Sequence, residues 1–240
     1  MFREEDLCKP IIDFFAPLGY KIYAEILDCD LALIKDNDLI LVELKKIFCI
    51  KLLYQAIERQ KISKSVYVAL PRLEMTNSRN FKNAVEILER LGLGLLLIAT
   101  DSPKQWVEVV LIPNYDKNPN GKARKKLIDE MNGRVFDTDI ANTGGSSRRK
   151  IMTAYRETSI RLACALEAVG ATSAVFLKKN FGFGKNTGNI LLKNYYGWFT
   201  KTTQKGIYDL SETGRRMLEG AEFSRFIEYY RKEFENFRED

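Results

Sequence analysis

The chain has 240 residues, 45% of them hydrophobic, which is enough for one large or two modest domains with a substantial core. Its formal net charge is +6, and it contains no histidine. The missing histidine excludes Ser-His-Asp and Cys-His triads, HExxH zinc sites and nucleases with a histidine base. Hydrolytic chemistry would have to use carboxylates, lysine and a hard metal ion.

Helix-like and strand-like segments alternate in residues 1–115. DLCKPIIDFFAPLG predicts an amphipathic helix that ends at Gly19, with Pro10 in its first turn. The elements that follow are the strands YKIYAEIL, DLALIK and LILVELK, the helix LLYQAIERQKI, the strand VYVAL, the helix NFKNAVEILERLG, and the strands LGLLLIA and WVEVVLI. This αβββαβ order with additions predicts an α/β domain with a mixed sheet flanked by helices.

Residues 116–147 change character, because prolines, glycines and polar residues dominate both ends of the segment. We predict a linker here, with one short basic helix around residues 122–131.

The second half predicts three helices, then a hairpin and a fourth helix. The first helix begins at a Ser146-Ser147 cap and runs to Gly170, and the hairpin turns at Gln204 to Gly206. The other three helices are ATSAVFLKKNFG, GKNTGNILLKNYYG and SETGRRML, the last capped by Ser211. This order is typical of a winged-helix domain, placed at 148–220, and residues 221–240 predict a charged amphipathic C-terminal helix.

Acidic residues interrupt two apolar strands in LDCDLALIKDNDLILVELKK. Side chains two apart share a strand face, so Asp28 and Asp30 point together, as do Glu43 and Lys45. If the strands are neighbours, Asp30 and Glu43 meet at one end of the sheet. Such a pair is costly to bury unless a cation such as Mg²⁺ or Mn²⁺ neutralises it. Lys45 would then orient or deprotonate a water, or stabilise charge on a phosphate.

An ordinary exposed strand edge is the other interpretation of these charges. An edge strand would alternate polar and apolar residues, whereas Leu39 to Val42 is unbroken apolar, as in a strand covered on both faces. The pattern therefore favours a site at the end of buried strands.

Two stretches of the chain resemble the PD-(D/E)XK nuclease superfamily. They are CDLALIKDNDLILVELKK and LLYQAIERQKISKSVYVALP. More narrowly, the chain resembles a bacterial family described as PD-(D/E)XK-type phosphodiesterases, with further similarity in EEDLCKP, MTAYRE, NYYGWF and KGIYDLSETG. The resemblance implies a restriction-endonuclease-like αβββαβ core and a metal-dependent nuclease that uses Mg²⁺ or Mn²⁺.

The resemblance also implies roles for individual residues. Asp30 and Glu43 would be metal ligands and Lys45 the catalytic lysine. Glu4 or Glu5 would be an auxiliary metal contact, and Gln55 would orient the substrate or the site. Cys29 replaces the proline of the superfamily's name, and the resemblance favours Asp30 over Asp28 as first ligand.

Basic residues are concentrated in 148–206, where eleven basic and two acidic residues give a net charge of +9. Such a local excess indicates a nucleic-acid partner, expected to be double-stranded DNA. Lys185, Asn189 and Lys193 recur every four residues on a predicted recognition helix, and Lys201 and Lys205 lie on the predicted wing. A solvated face that contacts protein is the alternative, and we expect the aromatic residues of NYYGWF to be core.

Two functions remain in view: a metal-dependent nuclease whose winged helix positions DNA, and a non-catalytic DNA-binding or regulatory protein on a nuclease-like scaffold. Because cutting both strands usually needs two sites, a homodimer is left open. No apolar run approaches the roughly 20 residues of a membrane span, and MFREEDLCKP lacks signal-peptide order. We therefore expect a cytoplasmic protein with four reduced cysteines.

Overall fold

The computed structural model describes residues 3–72, 78–99, 105–135 and 152–237. The chain divides into two compact units: unit 1 is Met1–Met152 and unit 2 is Thr153–Asp240. Within the described ranges, no helix has both the length and the apolar character needed to cross a membrane.

Unit 1 is built from an open sheet with helices on its faces. Its helices and strands are α1 (Cys8–Phe15), β1 (Lys21–Ile26), β2 (Cys29–Lys35), β3 (Asp38–Leu44), α2 (Ile50–Gln60), β4 (Ser65–Pro71), α3 (Arg79–Arg90), β5 (Gly94–Ala99), β6 (Trp106–Leu111) and α4 (Gly121–Asn132). Short 3-10 helices, Glu4–Leu7 and Ala16–Leu18, flank α1. The predicted αβββαβ order is confirmed, and Gly19 ends the first helical segment in a left-handed conformation with φ 88°.

The sheet has the strand order β1-β2-β3-β4-β5-β6. Strands β3, β4 and β5 are parallel neighbours, while the β1/β2, β2/β3 and β5/β6 pairs are antiparallel. The predicted mixed sheet is therefore confirmed. Parallel neighbours need long crossovers, which α2 and α3 supply, so the carboxyl ends of β3, β4 and β5 meet at one edge.

Strand β3 lies in the middle of two hydrophobic cores. Leu41 packs on one face of the sheet in a cluster with Leu52 of α2. Val42 packs on the other face in a cluster with Ile11 of α1. Coverage on both faces explains the unbroken apolar run of this strand, because neither set of side chains meets water.

Helix α4 contributes to the core of unit 1, although it lies in the predicted linker 116–147. Leu127 and Met131 are buried in the cluster below α2 and α3. Arg134, just after the helix, donates a hydrogen bond of 3.0 Å to the backbone carbonyl of Ala24 in β1. Residues 121–135 therefore belong to unit 1, and residues 136–147 lie outside the described residues.

Unit 2 consists of helices and a small sheet. Its helices and strands are α5 (Ala154–Val169), β7 (Thr172–Ser173), α6 (Ala174–Phe181), α7 (Thr187–Lys193), β8 (Phe199–Lys201), β9 (Ile207–Leu210), α8 (Glu212–Glu219) and α9 (Ser224–Glu233). Helix α5 begins at Ala154, where the Thr153 side chain accepts from the Arg156 amide and caps the helix. The predicted Ser146-Ser147 cap lies outside the described residues. Strand β7 was not predicted, and Ser211 caps α8 as expected.

The three short strands form an antiparallel sheet in the order β7-β9-β8. Helix α9 packs against α5 and buries Phe226, Ile227 and Tyr230. The Tyr230 hydroxyl donates a hydrogen bond of 2.7 Å to Oε1 of Glu157 on α5. The aromatic stripe of the C-terminal helix is therefore part of the core of unit 2.

Two helical glycines of unit 2 should respond oppositely to alanine. A Cβ on Gly214 of α8 would lie 2.2 Å from the Trp198 carbonyl oxygen, whereas one on Gly188 of α7 would meet only the Ala174 Cβ at 3.8 Å. We expect Gly214→Ala to destabilise by about 1–3 kcal/mol through overpacking. Gly188→Ala should stabilise by up to about 1 kcal/mol through helix propensity.

Urea unfolding in a Trp106→Phe background measures this difference, since the fluorescence then comes from Trp198 in unit 2. Equal effects of the two alanines would contradict the packing of α8 against the start of β8.

Candidate active site at the carboxyl edge of the sheet

Two carboxylates meet where β2 begins and β3 ends. Leu31 of β2 pairs with Val42 of β3, so the next residues outward, Asp30 and Glu43, lie opposite each other. Opposite residues of an antiparallel pair share a face. The Asp30 side chain also accepts a hydrogen bond of 2.7 Å from the backbone amide of Leu44. The predicted convergence of Asp30 and Glu43 is therefore present.

Glu43 is fully buried, and one cation lies against it. Its Oε1 accepts a hydrogen bond of 2.5 Å from Nε of Arg59, whose side chain is 12% exposed. Arg59 also donates through Nη2 to the backbone carbonyl of Asp28. The second oxygen, Oε2 of Glu43, is buried and accepts no hydrogen bond from a nitrogen or hydroxyl donor among the described residues. The carboxyls of Glu43 and Asp30 lie within side-chain hydrogen-bond reach of each other, so a proton shared between them is a local substitute for a cation. An orphaned buried carboxylate oxygen is expensive, so this geometry is open to a further cation or donor.

Burial sets the protonation of the two carboxylates. It raises the pKa of Glu43 to about 7; the negative charge of Asp30 adds to this rise, and Arg59 opposes it. Burial also raises the pKa of Asp30, against the Leu44 amide and the charge of Lys45. Desolvation is the main cause of both raised pKa values, because the carboxyls of Asp30 and Glu43 lie side by side with little access to water.

Lys45 follows β3 directly and makes a second ion pair. Its amide donates to the Ala69 carbonyl at 3.1 Å and so extends the ladder between β3 and β4. Its Nζ lies 3.0 Å from Oε2 of Glu4. Burial lowers the pKa of Lys45, but the Glu4 pair and the charges of Asp30 and Glu43 outweigh burial and raise it. Lys45 is therefore a firm cation beside the two carboxylates.

Of the two N-terminal glutamates, Glu4 reaches the cluster through Lys45. Oε2 of Glu5 instead lies 3.8 Å from Nη1 of Arg3, whose side chain is exposed. Because its carboxylate is paired with Lys45, Glu4 orients the lysine and is not an unpaired carboxylate beside Asp30.

Gln55 and Arg59 lie one turn apart on α2, and therefore on the same helical face. Between them, Ala56 is buried against the sheet. The Oε1 atom of Gln55 is buried and without a partner among the described residues. Helix α2 thus directs Arg59 to Glu43, and one turn earlier it carries Gln55, whose Oε1 accepts no hydrogen bond among the described residues.

Asp28 occupies a different place from the one that strand alternation predicted. Leu27 and Asp28 form the two-residue turn between β1 and β2, with φ 46° and 67°. Asp28 is exposed there, whereas Asp30 is half-buried beside Glu43. The expectation that Asp28 and Asp30 share a strand face is wrong, because Asp28 precedes the strand.

Arg59 is the residue of this cluster that sequence reasoning missed. Its signal was present but weak: a basic residue four positions after Gln55 on the helix that follows the acidic strand. A search for the cation that offsets a buried Glu43 could have found it, since a buried carboxylate needs a partner.

The five residues predicted to bind nucleic acid are all exposed in unit 2: Lys185, Asn189, Lys193, Lys201 and Lys205. Lys185 lies in the turn before α7, so its predicted place on the helix is wrong. Asn189 and Lys193 are on α7, Lys201 is on β8, and Lys205 is in the β8–β9 loop. None of the four lysines forms a salt bridge within the described part of the chain.

Comparison with protein-family models matches residues 96–217 to the family described as "Putative PD-(D/E)XK phosphodiesterase (DUF2161)". The chain belongs to this family. The comparisons with curated proteins and with solved structures found no match. The family match runs from β5 to α8, so the Asp30 and Glu43 cluster lies on the N-terminal side of the matched residues.

The PD-(D/E)XK chemistry of the family implies a divalent metal, and the donor set fits a hard one. When all three are ionised, the carboxylates of Glu4, Asp30 and Glu43 exceed the two cations, Lys45 and Arg59, by one negative charge. No group of three or more His, Cys, Asp or Glu side chains able to hold a metal occurs among the described residues. Two carboxylates with open positions suit Mg²⁺, which keeps several waters, better than a closed zinc site.

The pair between Arg59 and Glu43 predicts a pH-dependent cost of removing the arginine. Because the folded pKa of Glu43 lies above its ordinary value, the stability that this carboxyl contributes falls as pH rises through about 7. Arg59→Met should therefore destabilise the metal-free protein by about 3–5 kcal/mol near pH 8, where Glu43 is ionised. The loss should be much smaller near about pH 5.5, where Glu43 is protonated.

Urea unfolding in EDTA at both pH values measures the loss. In a Glu43→Gln background the same Arg59→Met change should show no such pH dependence. A loss that is equal at both pH values in the Glu43 protein would contradict the pairing.

Proposed function

We propose that the protein is a metal-dependent nuclease that hydrolyses phosphodiester bonds of DNA, with unit 2 positioning the nucleic acid. One observation carries the proposal: the buried carboxylate of Glu43 and the half-buried carboxylate of Asp30 lie beside the cation Lys45 at the carboxyl edge of the sheet. In open α/β sheets this edge is where ligands bind. The membership of a PD-(D/E)XK phosphodiesterase family supports the same reaction.

Asp30 and Glu43 would hold Mg²⁺ or Mn²⁺. The buried Oε2 of Glu43 supports this assignment, because it accepts no hydrogen bond from a nitrogen or hydroxyl donor among the described residues. When bound, the ion would lower the pKa of a water and polarise a phosphoryl oxygen.

The chain's own cations and dipoles would do the rest of the chemistry. Lys45 keeps its proton, because its pKa is raised, and therefore suits stabilisation of charge on the phosphate better than removal of a proton from water. Glu4 orients Lys45 through their ion pair. Arg59 holds the rotamer of Glu43, and the unsatisfied Oε1 of Gln55 can accept from the attacking water.

We infer further that unit 2 is a winged-helix module. The supporting facts are the order α5-β7-α6-α7-β8-β9 and the antiparallel sheet in which β9 lies between β7 and β8. In that module α7 would be the recognition helix and the β8–β9 hairpin the wing. Lys193 on α7 and Lys205 on the hairpin are exposed and suited to phosphate contacts.

One observation favours the second candidate, a non-catalytic DNA-binding protein on the same scaffold. Arg59 already supplies a positive charge to Glu43, so the carboxylate does not depend on a metal alone for neutralisation. The two candidates differ in whether a metal is bound at Asp30 and Glu43 and whether any phosphodiester bond is cut.

We expect the purified protein to cut DNA in Mg²⁺ or Mn²⁺, and single substitutions at the site to slow cleavage strongly. Lys45→Met should lower the rate by about 100-fold or more, because it removes the cation that stabilises the phosphate charge. Glu43→Gln and Asp30→Asn should in addition weaken Mn²⁺ binding measured by calorimetry. Incubation with plasmid, linear duplex and single-stranded DNA measures cleavage.

Asp28→Asn is the matched control, because Asp28 is exposed in the neighbouring turn. It should cut like the wild type. Wild-type protein that binds DNA but cuts none of the three substrates would favour the non-catalytic candidate. Loss of cleavage in Asp28→Asn but not in Asp30→Asn would overturn the ligand assignment.

The exposed lysines of unit 2 predict a measurable dependence of DNA binding on salt. Lys185→Ala and Lys193→Ala should each lower the slope of log K against log salt by about one, and the double variant by about two. Titration of duplex DNA in EDTA at several salt concentrations gives the slope. Lys21→Ala is the control. Lys21 is an exposed lysine of unit 1, at the start of β1, which is the opposite end of that strand from the turn next to Asp30. An unchanged slope in the double variant would remove α7 from the interface.

A further inference from the structure

An aromatic ring stands exposed beside the proposed recognition helix. Tyr195 follows α7 by two residues and is 68% exposed, although its sequence context predicted a core residue. Trp198, in the same NYYGWF segment, is buried as that expectation requires. A single exposed ring is common on a protein surface, so the groups around Tyr195 decide whether it can bind a ligand.

The backbone around this ring is firmly held. Asn194 takes a left-handed conformation with φ 45° and ends α7. Its side-chain amide donates to the carbonyl of Phe199 at 2.6 Å, and its side-chain oxygen accepts from the Phe199 amide at 3.1 Å. The turn that presents Tyr195 is therefore tied to the first strand of the hairpin, and little conformational entropy remains to be lost on binding.

One side of the ring rests on other aromatic rings. Tyr195 and Tyr155 have ring centroids 5.2 Å apart, and Tyr155 continues to Tyr196 at 5.6 Å. Tyr196 in turn lies 4.6 Å from Trp198. This row connects the exposed ring to the buried core of unit 2, so Tyr195 is a supported platform rather than a loose side chain.

A cation lies at the same ring. Nζ of Lys193 is 5.8 Å from the ring centroid of Tyr195, and Lys193 forms no salt bridge within the described residues. A flat aromatic surface with an adjacent unpaired lysine matches the chemistry of one nucleotide, which offers a base face and a phosphate at neighbouring positions. The positive charge of Lys193 disfavours a cationic partner at this ring and favours an anionic one.

We propose that Tyr195 stacks on an unpaired base of the bound nucleic acid while Lys193 contacts the adjacent phosphate. Bases inside a duplex show only their edges, so a ring can stack on a base only in a single strand, at an end or in a distorted site. The substrate class is therefore nucleic acid with a single-stranded segment next to the duplex that α7 contacts. This inference rests on the proposed nucleic-acid function and names its substrate more closely.

Fluorescence tests the stack directly. The probe is a single-stranded oligodeoxynucleotide that carries 2-aminopurine, titrated with the full-length protein in EDTA so that no cleavage occurs. Binding should quench the 2-aminopurine in the wild type and in Tyr195→Phe, which keeps the ring. Tyr195→Leu should lose the quenching and bind the oligonucleotide roughly 5- to 150-fold more weakly, the range for loss of one base stack.

Two controls separate stacking from folding and from loss of apolar surface. Leu192→Ala removes an exposed apolar side chain on α7 itself, 55% exposed, and should leave quenching unchanged. Tyr229→Ala removes an exposed tyrosine on α9 and should also bind like the wild type. The circular dichroism and melting temperature of Tyr195→Leu should match those of Tyr195→Phe.

Direct titration of a relaxed, covalently closed plasmid in a gel-shift assay distinguishes the possible failures. Tyr195→Leu should bind this plasmid as the wild type does, because relaxed closed duplex offers no unpaired base. If Tyr195→Leu quenches and binds like Tyr195→Phe, the stacking proposal is overturned while the nucleic-acid function survives. If the wild type binds neither oligonucleotide nor plasmid, the proposed function itself fails.

Discussion

The burial of the Glu43 carboxylate is the constraint on which the rest of unit 1 depends. A carboxylate at the end of a strand covered on both faces loses its water, and the sheet supplies no backbone donor that could replace both hydration sites. Arg59 satisfies one oxygen, and the other is left over. Because Arg59 neutralises Glu43 only in part, burial and the nearby charge of Asp30 raise the pKa of Glu43. A divalent cation would complete the neutralisation, which is why the apolar strand and the proposed chemistry are consistent with each other.

The topology explains how separate segments reach this one carboxylate. Strand β3 is antiparallel to β2 on one side and parallel to β4 on the other. The first relation brings Asp30 opposite Glu43. The second requires a crossover, and that crossover is α2, whose face carries Gln55 and Arg59 back over the sheet. Lys45 follows the end of β3 itself, and Glu4 reaches it from the 3-10 helix Glu4–Leu7 before α1.

Unit 2 is built from short helices and strands, and its surface differs from its core in both charge and composition. Its core combines aliphatic and aromatic side chains, and its exposed surface around α7 is basic. The ring of Tyr195 joins the two properties, because it is supported by the aromatic row and stands beside Lys193. Duplex contacts by lysine are independent of sequence and sensitive to salt, whereas a stacked base depends on the structure of the nucleic acid. The combination would select by shape more than by sequence.

The sequence by itself determined the order of elements, the mixed sheet and the meeting of Asp30 with Glu43, because hydrophobic periodicity and strand alternation are local properties. The sequence did not predict the turn between β1 and β2. Leu27 and Asp28 adopt positive φ there although neither is a glycine, so Asp28 does not lie on the strand face that alternation predicts. Only the tertiary structure decided the pairing of Arg59 with Glu43 and the exposure of Tyr195. The first depends on which face of α2 meets the sheet, and the second on how the turn after α7 packs against Tyr155. Both are set by packing between segments distant in the chain.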